Sequence, residues 1–196
     1  MPKLYYQGHG SFRLTADDNR VIYIDPFAGD GYGLPAALIL VTHAHRDHCQ
    51  TQLCAQAPGC RVITQAEALA GGRHNRFEIG GIIVEAVEAG NLMHNPAQCV
   101  GYIITLDGIS LYAAGDTSQT AAMAGFAARG LDYALLPCDG VFNMNPKEAA
   151  ACAKLINAKH SIPIHMKPGA LFSEKAAEKW DAPNKLVVRP GAEITL

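Results

Sequence analysis

Between Thr42 and His48 the chain reads Thr-His-Ala-His-Arg-Asp-His, which sets four side chains of metal-ligand type, His43, His45, Asp47 and His48, within six residues. His43 and His45 are two apart in what must be an extended segment, so both imidazoles project to one side. Asp47 and His48 follow after a bend. Buried histidines and aspartates cost free energy unless paired or metal-bound, and packing alone explains a loop this dense in them poorly. Imidazole and carboxylate donors with no thiolate among them suit Zn²⁺ best, and also suit Mn²⁺ or Fe²⁺. A divalent ion held this way lowers the pKa of a bound water and stabilises charge on a substrate oxygen. The chemistry implied is hydrolysis without a protein nucleophile, and Ser11, Cys49 and Cys138 lack the context for one.

Further candidates lie downstream, each at the end of an expected strand or in a loop beside one: His94 in Gly90-Asn-Leu-Met-His94, Asp116 in Ala114-Gly-Asp-Thr117, and His165 in Ile162-Pro-Ile-His165. Each also has a plain structural reading. Met93-His94-Asn95-Pro96 could be an exposed turn, Gly-Asp-Thr the turn that opens a helix, and His165 a hydrogen-bonded core histidine. His9, in Gly8-His9-Gly10-Ser11-Phe12, is either a turn residue or a group near the site. Asp25 before Pro26 is either a strand-end cap or a partner that fixes an imidazole tautomer. Lys167, two residues beyond His165, would attract an anionic substrate if it is not simply solvated. His74 and His160 carry no assignment.

The elements that must position these residues are mostly short strands. Lys3 to Tyr6, Ser11 to Ala16 and Arg20 to Asp25 read as a meander, with Asp17-Asp18-Asn19 as a turn. Ala37 to Val41 is a continuous apolar run, hence a buried strand, and it empties into the histidine loop. A helix over His48 to Ala57 and strands at Arg61 to Thr64, Phe77 to Ile79, Ile82 to Val87 and Val100 to Leu106 follow. Asp107-Gly108 signals a hairpin into Ile109 to Ala113. Thr120 to Arg129 reads as a helix closed by Gly130, then Asp132 to Leu136 as a strand. Asn145-Pro146-x-Glu148 caps a helix to about Ile156. Ser161 to Ile164, a helix from Ser173 to Trp180, and a strand at Lys185 to Val188 complete the order, which fits sheets covered by outer helices.

Composition bounds the function. The 196 residues suffice for one domain, over 1–196, burying roughly 70% of its extended surface. Sixteen basic and eighteen acidic side chains leave a net charge of -2 with no basic block. That argues against nucleic-acid and membrane-surface partners. Six scattered cysteines form no Cys-x-x-Cys pair, and with no signal peptide or span of ~20 apolar residues the expectation is free thiols in the cytoplasm. Self-association into a homo-oligomer stays open.

Taken together, the His-x-His-x-Asp-His loop, the two later loops and Ile-Pro-Ile-His165 resemble, in order and over most of Tyr5 to His165, the metallo-beta-lactamase fold superfamily. The likeness is strongest to small metal-dependent hydrolases related to ascorbate-6-phosphate lactonase. The resemblance implies an α+β fold, a four-layer αββα sandwich of two similar halves with a metal site at one edge. It implies that His43, His45 and His94 hold one metal, that Asp47, His48 and His165 hold the other, and that Asp116 bridges them. Asp47 would also orient the nucleophile or relay a proton, and His9 would orient a ligand or touch substrate. His45 stands where di-iron relatives commonly carry glutamate, which favours hydrolysis of a small ester, lactone or phosphodiester over redox work. A non-catalytic metal-holding or nucleotide-sensing module on the same fold is the alternative. Ala113 and Cys138-Asp139-Gly140 depart from the branch pattern and put the lactonase substrate in doubt.

Overall fold

The structure, a computed structural model, describes residues 1–182 and 184–196. Apolar runs broken by turn residues become the strands Lys3–Gly8 (β1), Ser11–Thr15 (β2), Val21–Ile24 (β3), Ala36–Leu40 (β4) and Gln56–Ile63 (β5). Arg76–Ile79 (β6), Ile82–Glu88 (β7), Val100–Leu106 (β8), Ile109–Ala113 (β9), Tyr133–Pro137 (β10) and His160–Ile164 (β11) follow, and Glu193–Thr195 (β12) comes last. They build two six-stranded sheets, ordered β12-β1-β2-β3-β4-β5 and β11-β10-β9-β8-β7-β6. In each, an antiparallel meander runs into parallel strands, β3-β4-β5 in one and β9-β10-β11 in the other. This is the expected repetition of similar halves. The β8–β9 hairpin turns on Asp107 (φ 48°) and Gly108 (φ 80°), with Leu106 opposite Ile109.

The period-two burial of the strands directs one face of each sheet inward, and Leu4, Leu14, Ile22 and Leu38 meet Val84, Tyr102, Ile104 and Leu135 in one core. The outer face of the second sheet packs Ile103, Tyr112 and Leu136 against Met123, Ile156 and Trp180. Those last residues belong to a 3₁₀ segment, Ala121–Arg129, to the helix Pro146–Ile156, and to the C-terminal cap of the helix Glu174–Lys179. Tyr23 and Ile39, on the outer face of the first sheet, are covered more lightly, by Tyr32 and Cys54. The result is an α+β sandwich of two mixed sheets, as the resemblance implies. All six cysteines are unpaired, and among the described residues no helix is long and apolar enough to cross a membrane.

Four expectations need correction. No α-helix forms over His48 to Ala57: the Gln50 N–H donates to the Pro26 carbonyl, and Gln56 already pairs with Ala36. The stretch between them has room only for a 3₁₀ turn, Thr51–Leu53, too short to repay helix nucleation. The strand that follows starts earlier than expected and tolerates Pro58 because it is an edge strand. Lys185 to Val188 makes only one bridge, Lys185 to Ser161, while Val188 turns into the core. Thr120 to Arg129 winds as 3₁₀ instead of α, though Gly130 does close it in the left-handed conformation. β12 and a one-turn helix, Gln65–Ala68, were too short to carry a periodic signal.

The Asn145 cap forms as expected: its side chain accepts from the Lys147 and Glu148 N–H groups, and the Glu148 carboxylate accepts from the Asn145 N–H. Asn145→Ala should lower stability by about 1 kcal/mol in guanidinium unfolding. Zinc content should stay at the wild-type level.

Candidate metal centre

Every residue singled out for metal chemistry lies just beyond the carboxyl end of a strand, and these ends share one edge of the sandwich. His9 follows β1, Asp25 follows β3, the histidine loop follows β4, His94 follows β7, Asp116 follows β9 and His165 follows β11. Open sheets of this kind offer such edges to ligands. Asp25 clamps the histidine loop at both ends. Its Oδ1 accepts the Thr42 N–H (2.7 Å), and its Oδ2 accepts the Thr42 hydroxyl (2.7 Å) and meets His48 Nδ1 at 2.8 Å. The expected bond from Asp25 to an imidazole is therefore present. Because the Thr42 hydroxyl proton goes to Asp25, its oxygen is left to accept from His43 Nδ1, 3.1 Å away.

His94 and His165 are held in the same way. Asn91 Oδ1 accepts the Met93 and His94 N–H groups, which fixes it as oxygen, and lies 3.1 Å from His94 Nδ1. Asp139 Oδ2 stands 2.9 Å from His165 Nδ1, an ion contact and not an aligned hydrogen bond. With Nδ1 tied on the outer side, the Nε2 lone pairs of His43, His48, His94 and His165 face inward. Close approach is permitted by two glycines. A Cβ at Gly10 would lie 2.9 Å from His48 Cε1, and one at Gly115 (φ 64°) would lie 2.9 Å from Thr42 Cβ.

The inner atoms converge on Asp116. His48 Nε2 lies 3.3 Å from its Oδ1, and His94 Nε2 and His165 Nε2 lie 3.2 Å and 3.6 Å from its Oδ2. His43 Nε2 and His45 Nδ1 are 3.0 Å apart. Ligand atoms gather within 4.8 Å of one another in three sets: His43, His45 and His94; His43, His48 and Asp116; His9, Asp47, His48 and His165. All seven expected ligands thus share one site, and His9 joins the set of Asp47. His48 Nε2, His165 Nε2 and Asp116 Oδ1 are buried with no hydrogen-bond partner, a costly state that a divalent cation among them relieves. The residues fit metal ions.

A family model described as "Beta-lactamase superfamily domain" matches residues 3–165. The chain belongs to the beta-lactamase superfamily. Within it, the chain is 31% identical to a UPF0173 metal-dependent hydrolase of Thermus thermophilus and 29% identical to one of Thermococcus kodakarensis, each over 100% of both chains. The fold is shared with Igni18, a metallo hydrolase of Ignicoccus hospitalis, at a TM-score of 0.78 and 22% identity over 98% of this chain and 97% of that one. The chain is accordingly a member of the UPF0173 family of metal-dependent hydrolases, whose names give no substrate.

Electrostatics in this superfamily member follow from burial. Burial, reinforced by the neighbouring His48, pushes His43 down to about 2, so it is neutral. Burial would also lower His48 and His165, but carboxylates outweigh it. Asp116 and Asp25 raise His48, and Asp139, Asp47 and Asp116 raise His165 to about 10. Burial alone would raise Asp116, yet His48 and His94 hold it far below the usual carboxylate range. The nearby His165 imidazole and the hydrogen bond from His9 do the same for Asp47. Asp139 also resists burial and is held at about 2 by His165 and the Val141 N–H. Without cations, protons on His48 and His165 balance the buried carboxylates.

His9 sits at a positive φ (56°) and donates from Nε2 to Asp47 Oδ2 at 3.1 Å, with its ring centroid 3.7 Å from that of His165. Its position is that of a group near the site. Lys167 instead borders a separate depression with Cys138, Met166 and Lys179. Two clefts adjoin the metal centre, one of ≈ 520 Å³ beside His43, His45 and His94, and one of ≈ 280 Å³ over Asp47 and Asp116. Asp139, Asn91 and Thr42 were not assigned from sequence. Asp139 had a signal, since it follows a buried strand as Asp25 and Asp116 do.

Two predictions follow from the outer bonds and the protons. Asp139→Asn should weaken zinc binding by about 10- to 100-fold in chelator competition, and an unchanged affinity would remove Asp139 from the site. His165, raised from 6.5 to about 10, stabilises the metal-free fold fully below pH 6.5 and loses that contribution as pH rises through about 10. Cations must displace its proton. Calorimetry in buffers of differing ionisation enthalpy near pH 7 should therefore register net proton release on zinc uptake, with affinity falling as pH falls.

Proposed function

We propose that this protein, acting as one domain, hydrolyses an ester, lactone or phosphodiester bond of a small molecule with water, using two divalent metal ions, zinc by preference. The observation that carries the reading is the convergence of inward-facing Nε2 atoms on the buried Asp116 carboxylate. His43, His45 and His94 would hold one ion, Asp47, His48 and His165 the other, and Asp116 both. Bound there, such ions polarise a carbonyl or phosphoryl oxygen and acidify water.

The chain's own contribution is positioning and proton transfer. Asp25, Asp139, Asn91 and Thr42 fix four imidazoles in the tautomer that presents Nε2. Asp47 is the carboxylate of the site that solvent reaches: its side chain is 39% exposed, against 4% for Asp116 and 3% for Asp25. It therefore takes the proton from water and returns it to the leaving group, while His9 holds it in place.

His48→Ala or Asp116→Ala should lose at least one metal, by elemental analysis of purified protein, and most turnover on a panel of lactones, esters and phosphodiesters. Unchanged metal content in both would reject the ligand assignment. Wild-type protein that holds metal yet turns over nothing in the panel would favour the sensing module.

A further inference from the structure

The two clefts share His45, Met93 and His94, so they lie on either side of one wall at the metal centre. Their linings differ. The larger adds Leu69 and the neutral amides of Gln65, Asn95 and Gln98. The smaller adds Phe142. Among the described residues no lysine or arginine lines either cleft, and the charged side chains there are Asp47 and Asp116. An anionic arm would thus meet no lysine or arginine in either cleft and two carboxylates in the smaller one.

The loops that bring Met93 and Phe142 to the clefts are also apolar. Leu92 (105% exposed), Met93 (61%), Val141 (62%) and Phe142 (41%) gather on two loops. Asn91 Nδ2 ties those loops together by donating to the Phe142 carbonyl (2.9 Å). Exposed apolar clusters beside a polar centre commonly receive ligand.

Resting on the hydrolytic reading above, we propose that the substrate is an uncharged carboxylic ester, open or cyclic, laid across His45 and His94. One arm lies against Met93 and Phe142 and the other among Gln65, Asn95 and Gln98. Phe142 and Gln98 set specificity. The reaction joins a water oxygen to the ester carbonyl carbon and breaks that carbon's bond to the alkoxy oxygen. One water proton ends on the released alcohol and the other leaves the acid product for solvent.

The test uses the zinc-loaded full chain with 4-nitrophenyl butyrate, 4-nitrophenyl hemisuccinate of equal length, and bis(4-nitrophenyl) phosphate. Saturation-transfer NMR follows binding of the two matching aryl ketones, which have no scissile bond. The neutral ester should exceed the hemisuccinate in kcat/KM, and the neutral ketone should outbind the charged one, each by about tenfold. Phe142→Ala should raise KM for the butyrate several-fold with zinc content held, and Gln98→Lys should shift preference toward the hemisuccinate by about tenfold. Turnover that favours the hemisuccinate or the phosphodiester, or ratios unmoved by both variants, would overturn the proposal while leaving hydrolysis standing. Neutral ketone preference without turnover would keep the clefts and reject the hydrolysis. Neither binding nor turnover would overturn both.

Discussion

The constraint on which the rest of the structure depends is charge. Asp116 keeps its carboxylate ionised while 4% exposed, and it does so only because imidazoles from three other parts of the chain surround it. A buried anion of this kind must be compensated by protons or by cations, since desolvation otherwise neutralises it. Imidazoles can supply either form of compensation. In their neutral state they offer lone pairs in a fixed direction, and that direction is inward.

Direction is imposed from outside the cluster. Asp25, Asp139, Asn91 and Thr42 occupy the outer nitrogens, so the inner ones cannot turn away. The strands beneath supply rigidity, because each partner begins within a few residues of a paired strand end. That geometry carries backbone strain. His9 (φ 56°), Asp25 (φ 47°) and His165 (φ 43°) are left-handed non-glycine residues, each costing on the order of 1 kcal/mol or more. Such residues persist where surrounding bonds over-determine them. Here Tyr6 donates its hydroxyl to the His9 carbonyl, and the His165 N–H donates to the same oxygen.

Much of this was legible in the sequence because the chemistry-bearing residues sit at the ends of strands with strong apolar signals. Ala37 to Val41 announces the histidine loop, and Asn145-Pro146 announces its helix, through local patterns that tertiary packing did not override. The family resemblance grouped the distant histidines. Asp139 escaped because its role exists only through His165, which lies far along the chain. The expected helix after His48 failed for a related reason: the bond from Gln50 to Pro26 and the pairing of Gln56 are long-range, and they left too few residues to wind. Lys167, two residues beyond His165, lines a depression with Asp139 and Lys179 and neither of the two clefts at Asp116 and His94.

The central claim, that inward-facing imidazoles and Asp116 form a paired cation site, is tested most directly by anomalous diffraction at the zinc edge from crystals of zinc-loaded protein. The account predicts two peaks flanking the Asp116 carboxylate, one among His43, His45 and His94 and one among Asp47, His48 and His165. A single peak elsewhere, for instance at a cysteine, or no peak at this edge of the sandwich, would contradict it.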